Sequence, residues 1–367
     1  MGQTIIGVND PKAVKKYSAF LAVDVARDSY FSRKFMGAEG SSMPIQVVKD
    51  LESTAGDKVS FDLVMQLKMQ PVEGDTPLTG KEEDLKFYSD DILINQMRGG
   101  VNTGGRMTQK RTIHQLREIA RVRQSEWWSR VFDELFFMYL SGLRGSNADY
   151  IFPTSYAGFA GNAFNAPDTE HLLMPGTKIK TTIAAGDTIT LGLIDKAVAL
   201  ASMMGGGTGG TPKIQPILIN GEKHFVLLMN PWQVYDLRQT TGGSGWLDIQ
   251  KAAAAAEGRK NPIFQGGLGM YNNVVLHEHQ AVIRMADYGN PATVEAARAL
   301  FMGVQAAVIA FGSKGNGLRF GWYEEERDSG NQVVISTHSI FGISKVQFNA
   351  KDFGIMAIDT AAKQPVG

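Results

Sequence analysis

Lys58 to Gly100 constrains this chain more than any other stretch, because it reads as a long β-hairpin without a core of its own. In the first arm, Lys58 to Met69, the residues Val59, Phe61, Leu63, Met65 and Leu67 recur at every second position. That is the period of a half-buried strand. The returning arm, Leu85 to Met97, carries Leu85, Phe87, Ile92 and Ile94, and the Pro/Gly-rich stretch from Pro71 to Asp84 reads as the turn. An isolated two-stranded hairpin is marginal in water. An arm of about 12 residues at about 3.3 Å each reaches about 40 Å. Such a finger needs a surface to lie on, and the expectation is a neighbouring subunit.

At 367 residues the chain is long enough for two or more packed units. A hydrophobic fraction of 43% supplies a large core, and 20% charged residues argues against general disorder. Lys+Arg and Asp+Glu both number 37, so no global positive field draws the chain onto nucleic acid, and near-zero charge favours association. With no cysteine, disulfides, thiolate metal sites and cysteine nucleophiles are excluded, and intracellular synthesis is compatible. Met1 to Asp10 lacks the basic and apolar blocks of a secretory signal. The longest apolar run, Ala296 to Phe311, is interrupted by Arg298, Gly303 and Gln305 and is too short for a membrane span. A soluble protein is expected.

Pro11 to Met36 reads as a helical arm, with Val14, Tyr17, Leu21 and Val25 near helical spacing. The strongest helix signal runs from Gln109 to Ser141. Ile113, Leu116, Ala120, Trp127, Val131, Leu135 and Met138 follow the helical repeat, while Trp128, Phe132, Phe136 and Tyr139 widen the face. Thr112 and Gln115 resemble a capping box, and Gly142 marks the end. Arg123 and Gln124 interrupt the stripe, so its halves should meet different elements. Residues 143–190 predict loops and short strands. An α/β region follows, with a helix from Leu191 to Met204, a strand at Ile217 to Ile219, and a helix begun by Asn230-Pro231. A helix over Trp246 to Glu257 and a strand from Asn273 to Arg284 complete it. The chain closes with strands at Leu318 to Glu325, Gln332 to Ile340, Ile343 to Asn349 and Ile355 to Ile358.

Signals for chemistry are weak. The loop Gly205 to Pro212 lacks the Gly-Lys-Ser/Thr of a phosphate-binding loop, because Gly210 is followed by Thr211-Pro212. His277-Glu278-His279 would place both histidines on one face of a strand, but no second ligand cluster accompanies them. Gly242 to Gly245 has no triad partners. Charge placement says more. Glu73, Asp75, Glu82, Glu83 and Asp84 make the hairpin tip acidic, while Lys110, Arg111, Arg117, Arg121 and Arg123 make the start of the long helix basic. Opposite charges of this kind set register between subunits; two separately solvated faces are the other reading.

Three stretches, Arg98 to Arg121, Asn261 to His279 and Phe341 to Asp359, together with the order of elements, resemble the N4-type major capsid proteins of tailed bacteriophages, within the HK97-type capsid fold. The resemblance implies an α+β chain with an N-terminal arm (1–57) and an extended β-hairpin loop (58–100). A spine helix and peripheral domain (101–189), an axial domain (190–312) and C-terminal strands returning to the peripheral domain (313–367) would follow. Subunits of this family form pentamers and hexamers of an icosahedral shell around double-stranded DNA, held without sequence-specific binding. The chain would be a virion capsid protein assembled in the host cytoplasm. Portal, scaffolding and decoration proteins are the implied partners, with no enzyme activity, cofactor, metal or membrane. The short segment before the hairpin implies scaffolding supplied separately or not at all. The candidate subunit interface comprises Phe61, Leu63, Met65 and Phe87, the acids Glu73, Asp75, Glu82, Glu83 and Asp84, and the bases Arg117 and Arg121. The alternatives are an encapsulin-like nanocompartment shell and a soluble nucleotide-binding enzyme using Gly205 to Pro212.

Overall fold

A computed structural model describes residues 11–49, 56–64, 69–85, 87–112, 115–204, 213–219, 221–240, 263, 267–312 and 319–365. The glycine-rich loop Gly205 to Pro212, the helix expected over Trp246 to Glu257, and Met65, Leu67 and Ile113 lie outside these residues.

The N-terminal arm is two helices, α1 (Pro11–Asp28) and α2 (Tyr30–Lys34). Ser29 is extended between them (φ −68°, ψ 132°), and its Oγ accepts from the Ser32 N–H. The break is held from outside by Asp133, which accepts from Ser29 Oγ at 2.8 Å and from the N–H groups of Tyr30 and Phe31 at 3.0 and 3.2 Å. A carboxylate at a helix N-terminus satisfies donors that the helix itself leaves open. Burial nevertheless lifts the Asp133 pKa to about 6, against the pull of those donors. Leu21 and Val25 face the body, as their spacing predicts.

The helix expected from Gln109 is also interrupted. α3 spans Arg106–Arg111, Thr112 is extended (φ −102°, ψ 143°), and α4 runs over Leu116–Ser141 with Gln115 as its N-cap residue. Thr112 is β-branched and the following Ile113 is too, which weakens helix continuation here. α4 has 26 residues, a length of about 40 Å. Its second half is buried on all sides, from Val131 and Phe132 to Ser141 with only Asp133 half-buried. Gly142 then closes it in the left-handed region (φ 72°), donating to Met138 and Tyr139 carbonyls. A side chain at Gly142 would lie 2.1 Å from the Asn165 carbonyl oxygen. α4 also grips the sheet through polar groups that its apolar pattern hides. Gln124 Nε2 donates to Ile335 O at 3.0 Å, and Trp128 Nε1 donates to Thr337 Oγ1 at 2.8 Å.

Two main sheets flank these helices. The first has the order Met36–Ala38, Ile45–Val48, Ala307–Gly312, Gln332–Lys345, Phe320–Arg327, with Asn95–Gly105 also paired to Gln332–Lys345. The second has the order Gly269–Tyr271, Val274–Glu278, Glu222–Met229, Val294–Met302, Ile355–Ala361, Leu172–Leu173; Arg284–Tyr288 and Ile217–Ile219 pair at its sides. Helix α5 (Leu191–Met203) packs on this second sheet through Ile194, Ala197 and Ala201. Two strand expectations change, and the long apolar run is divided. The apolar run Ala296 to Phe311 is two strands in different sheets, separated by a turn with Gln305 at φ 57°. The expected strand Asn273 to Arg284 is two strands, Val274–Glu278 and Arg284–Tyr288. Ile355–Ala361 does not return beside the other C-terminal strands but pairs with Val294–Met302. Its Asp359 explains the pairing: both carboxylate oxygens accept from Arg298 at 2.7 Å, and Tyr288 donates to Asp359 at 2.6 Å. Arg298 also donates to the Ser141 carbonyl at 2.7 Å, tying the end of α4 to the second sheet.

Candidate assembly interface

The hairpin is present, and its returning arm is shorter than the sequence pattern suggests. Lys58–Val64 pairs antiparallel with Phe87–Leu93, placing Val59 opposite Ile92, Phe61 opposite Asp90 and Leu63 opposite Tyr88. Directly opposed residues share a face, so Val59, Phe61, Leu63, Tyr88 and Ile92 form one side of the ribbon. Phe87 stands opposite Val64 on the other side and is 60% exposed. Grouping Phe87 with Ile92 crosses from odd to even positions, which a strand of period two does not permit. The second arm also ends at Leu93. Asn95–Gly105 leaves the ribbon and pairs with Gln332–Lys345 of the same chain, from Asn95 opposite Phe341 to Gly105 opposite Gln332.

The base of the finger is anchored on its own subunit. Val59 and Ile92 are buried with Val48, Val308, Ala310, Val346, Phe348 and Phe353. The Phe61 ring meets Phe348 edge-on at 6.0 Å, and the Gln347 N–H donates to Asp90 at 3.0 Å. The ribbon crosses the sheet at Gly342, where a Cβ would sit 2.0 Å from the Leu93 carbonyl oxygen. Only glycine allows that approach. Beyond this anchor the described tip faces solvent. Leu78 and Leu85 are 52% and 58% exposed, and Met69 is exposed too. Glu73, Asp75, Glu82 and Asp84 are exposed and Glu83 is half-buried. Within the tip, Glu82 accepts from the Gly80 N–H and Glu83 from the Met69 N–H. For Leu63 the backbone register alone is described, and Met65 lies outside the described residues.

The basic stretch is used differently from the simplest reading of its charge. Arg117 is paired within the chain: it reaches Glu324 Oε1 at 2.7 Å and lies 5.0 Å from the centre of the Tyr17 ring. Tyr17 stacks on Trp322 at 5.3 Å, and Trp322 Nε1 donates to the same Glu324 oxygen. The Arg121 guanidinium sits over Phe20. Arg117 and Arg121 therefore fasten α1 to α4 and the first sheet. Lys110 and Arg111 remain exposed, and so do the apolar side chains Phe20, Val23, Ile119 and Val122 of α1 and α4, which the charge pattern did not reveal.

His277 is buried, its Nε2 2.6 Å from the Ile263 carbonyl, and His279 stacks on Phe137 at 4.9 Å. Burial, then the Lys34 charge, lowers both pKa values to about 4. Among the described residues no group of three or more His, Asp or Glu side chains is placed to hold a metal ion, and no helix is long and apolar enough to cross a membrane.

Comparison with known proteins resolves the class. The sequence model of a family described as phage capsid protein matches residues 5–364. The major capsid protein of Pseudomonas phage KPP25 is 27% identical over 370 residues, covering 92% of each chain. The capsid of Ralstonia phage GP4 is similar in structure with a TM-score of 0.88 at 49% identity, covering 100% of both chains. The capsid of cyanophage Pam1 shares the fold, with a TM-score of 0.68 at 20% identity over 92% of this chain and 93% of that one. The α+β architecture is thus the HK97-type capsid fold, and phage capsids are what the chain resembles. The chain belongs to the phage capsid protein family and is a major capsid protein that assembles with copies of itself into the virion shell.

Proposed function

We propose that this subunit builds pentamers and hexamers of an icosahedral shell around double-stranded DNA, and that the finger joins neighbouring copies. The observation that carries the reading is the contrast along the finger. Its base is buried against its own sheet, whereas Leu78, Leu85 and Phe87 are more than half exposed. Apolar side chains exposed together on a slender projection favour a partner surface. The candidate contact combines Leu63, Met65 and Phe87 with the acids Glu73, Asp75, Glu82, Glu83 and Asp84, whereas Phe61 is taken up by Phe348 of its own subunit. On the receiving side, Lys110 and Arg111 supply exposed positive charge, and Arg117 and Arg121 act indirectly by holding α1 against α4.

The domain plan that fits this role has an arm (1–57), a finger (58–93), and a peripheral unit built on the first sheet. An axial unit (190–302) lies on the second sheet, with Ile355–Ala361 stitched into it. Portal, scaffolding and decoration proteins are the further partners proposed, and the balanced charge of 37 acids and 37 bases suits a wall that encloses DNA without adhering to it. Deleting Val72 to Asp84 tests the role of the tip. The expected product is a folded subunit that fails to form closed particles in electron micrographs. Normal particles from the deletion would remove the tip from the interface.

A further inference from the structure

The first sheet ends on a buried polar pair that shell assembly does not call upon. Lys345 closes the strand Gln332–Lys345, and Asp352 lies in the small ladder of Gln347–Phe348 with Lys351–Asp352; both side chains are 1% exposed. Lys345 Nζ is 2.7 Å from Asp352 Oδ1, an ion pair at an angle poor for a hydrogen bond. Gln347 Nε2 donates to that same Oδ1 at 2.6 Å. Asp352 is held from behind: its N–H donates to Asp168 Oδ2 at 2.8 Å, and His171 Nδ1 lies 2.8 Å from the same oxygen. Burial works against the charged form of Lys345, opposing the pull of Asp352.

A buried ammonium and carboxylate are costly unless hydrogen bonds saturate both. Here Nζ meets Asp352 Oδ1 at an angle poor for a hydrogen bond, and passing one proton to Oδ1 leaves a neutral amine against a neutral carboxylic acid. Two reactants locked at this distance have already lost the freedom that a bimolecular condensation would cost.

The geometry points to an intrachain isopeptide bond between Lys345 and Asp352. Nζ, having passed one proton to Oδ1, attacks Cγ. The Cγ–Oδ1 bond then breaks, and Oδ1, held by Gln347 Nε2, leaves as water with that proton and a second one from Nζ. The product is an amide plus one water, with no oxidant, reductant or cofactor consumed. The bond closes the loop 345–352, whose Val346 and Phe348 are part of the floor under Val59 and Ile92. It would therefore fix the base of the finger, and it stands independently of where the tip docks.

Tryptic digestion of the denatured full chain, read by tandem mass spectrometry, is decisive. Trypsin does not cut after an acylated lysine, so the expected product is a branched peptide joining 328–351 to 352–363, one water lighter than its parts. The variant Lys345→Gln should lack the branched peptide and the loss of water. Recovery of ordinary linear peptides from the wild-type chain, with cleavage after Lys345, would overturn the assignment.

Discussion

Replacing Leu78, Leu85 and Phe87 together by serine should separate folding of the subunit from its assembly. The three side chains are 52%, 58% and 60% exposed in the protomer. Fully burying such a side chain contributes about 1.5–3 kcal/mol, so covering the exposed half contributes about 1 kcal/mol each. The triple variant then loses about 3 kcal/mol per contact, or roughly 100-fold in affinity. The isolated subunit should hardly notice, because exposed positions usually change stability by less than about 0.5 kcal/mol each. Urea unfolding of unassembled subunit measures the second quantity. Light scattering and electron microscopy across a concentration series measure the first, as the threshold for closed particles. A subunit destabilised by about 3 kcal/mol would mean that the tip packs on its own body. An unchanged threshold would mean that the tip faces only water in the shell.

Gly342→Ala places a Cβ against the Leu93 carbonyl; overpacking of this kind costs about 1–3 kcal/mol, and hydrogen exchange at Val59 and Ile92 should accelerate, whereas unchanged protection would contradict the crossing. Asp359→Ala strands the buried Arg298 guanidinium and should cost about 3–5 kcal/mol in urea unfolding; a loss below about 1 kcal/mol would show that the pair does not tie the second sheet to α4. Acidification should distinguish Asp133→Asn from the wild type. The folded Asp133 pKa of about 6 exceeds the ordinary aspartate value of 3.8, so its protonation favours the fold as pH falls through that window. His277 and His279, lowered from 6.5 to about 4, oppose it by favouring the unfolded chain in the same direction. Removing Asp133 should therefore steepen the loss of stability between about pH 6.5 and 4; parallel profiles for the two proteins would contradict the buried state of its carboxyl.

The sequence carried the finger, the long helix and the closing strands because each buries one face at a regular period. Val59 and Ile92 at the base, and Val131, Leu135 and Met138 in α4, are buried as that periodicity requires. It misled where a residue acts through a distant element. Ser29 breaks the arm because Asp133 reaches it from α4, a contact between residues 104 positions apart. Asn95–Gly105 leaves the finger because Gln332–Lys345 offers a long open edge, which no local pattern announces. Charge was the least readable signal. Arg117 looks like a free base in the sequence, yet Glu324 and Tyr17 occupy it. The buried pairs Arg298–Asp359 and Lys345–Asp352 join positions whose pairing depends on strand order, so composition and spacing could not reveal them.

Cryo-electron microscopy of particles assembled from this chain, at a resolution that traces side chains, puts the whole argument at stake. Density for Met69 to Leu85 should run across an adjoining copy, with Leu78 covered there and Val59 and Ile92 still seated on their own sheet. A closed shell in which that stretch lies back on its own subunit, or touches only solvent, would contradict the account.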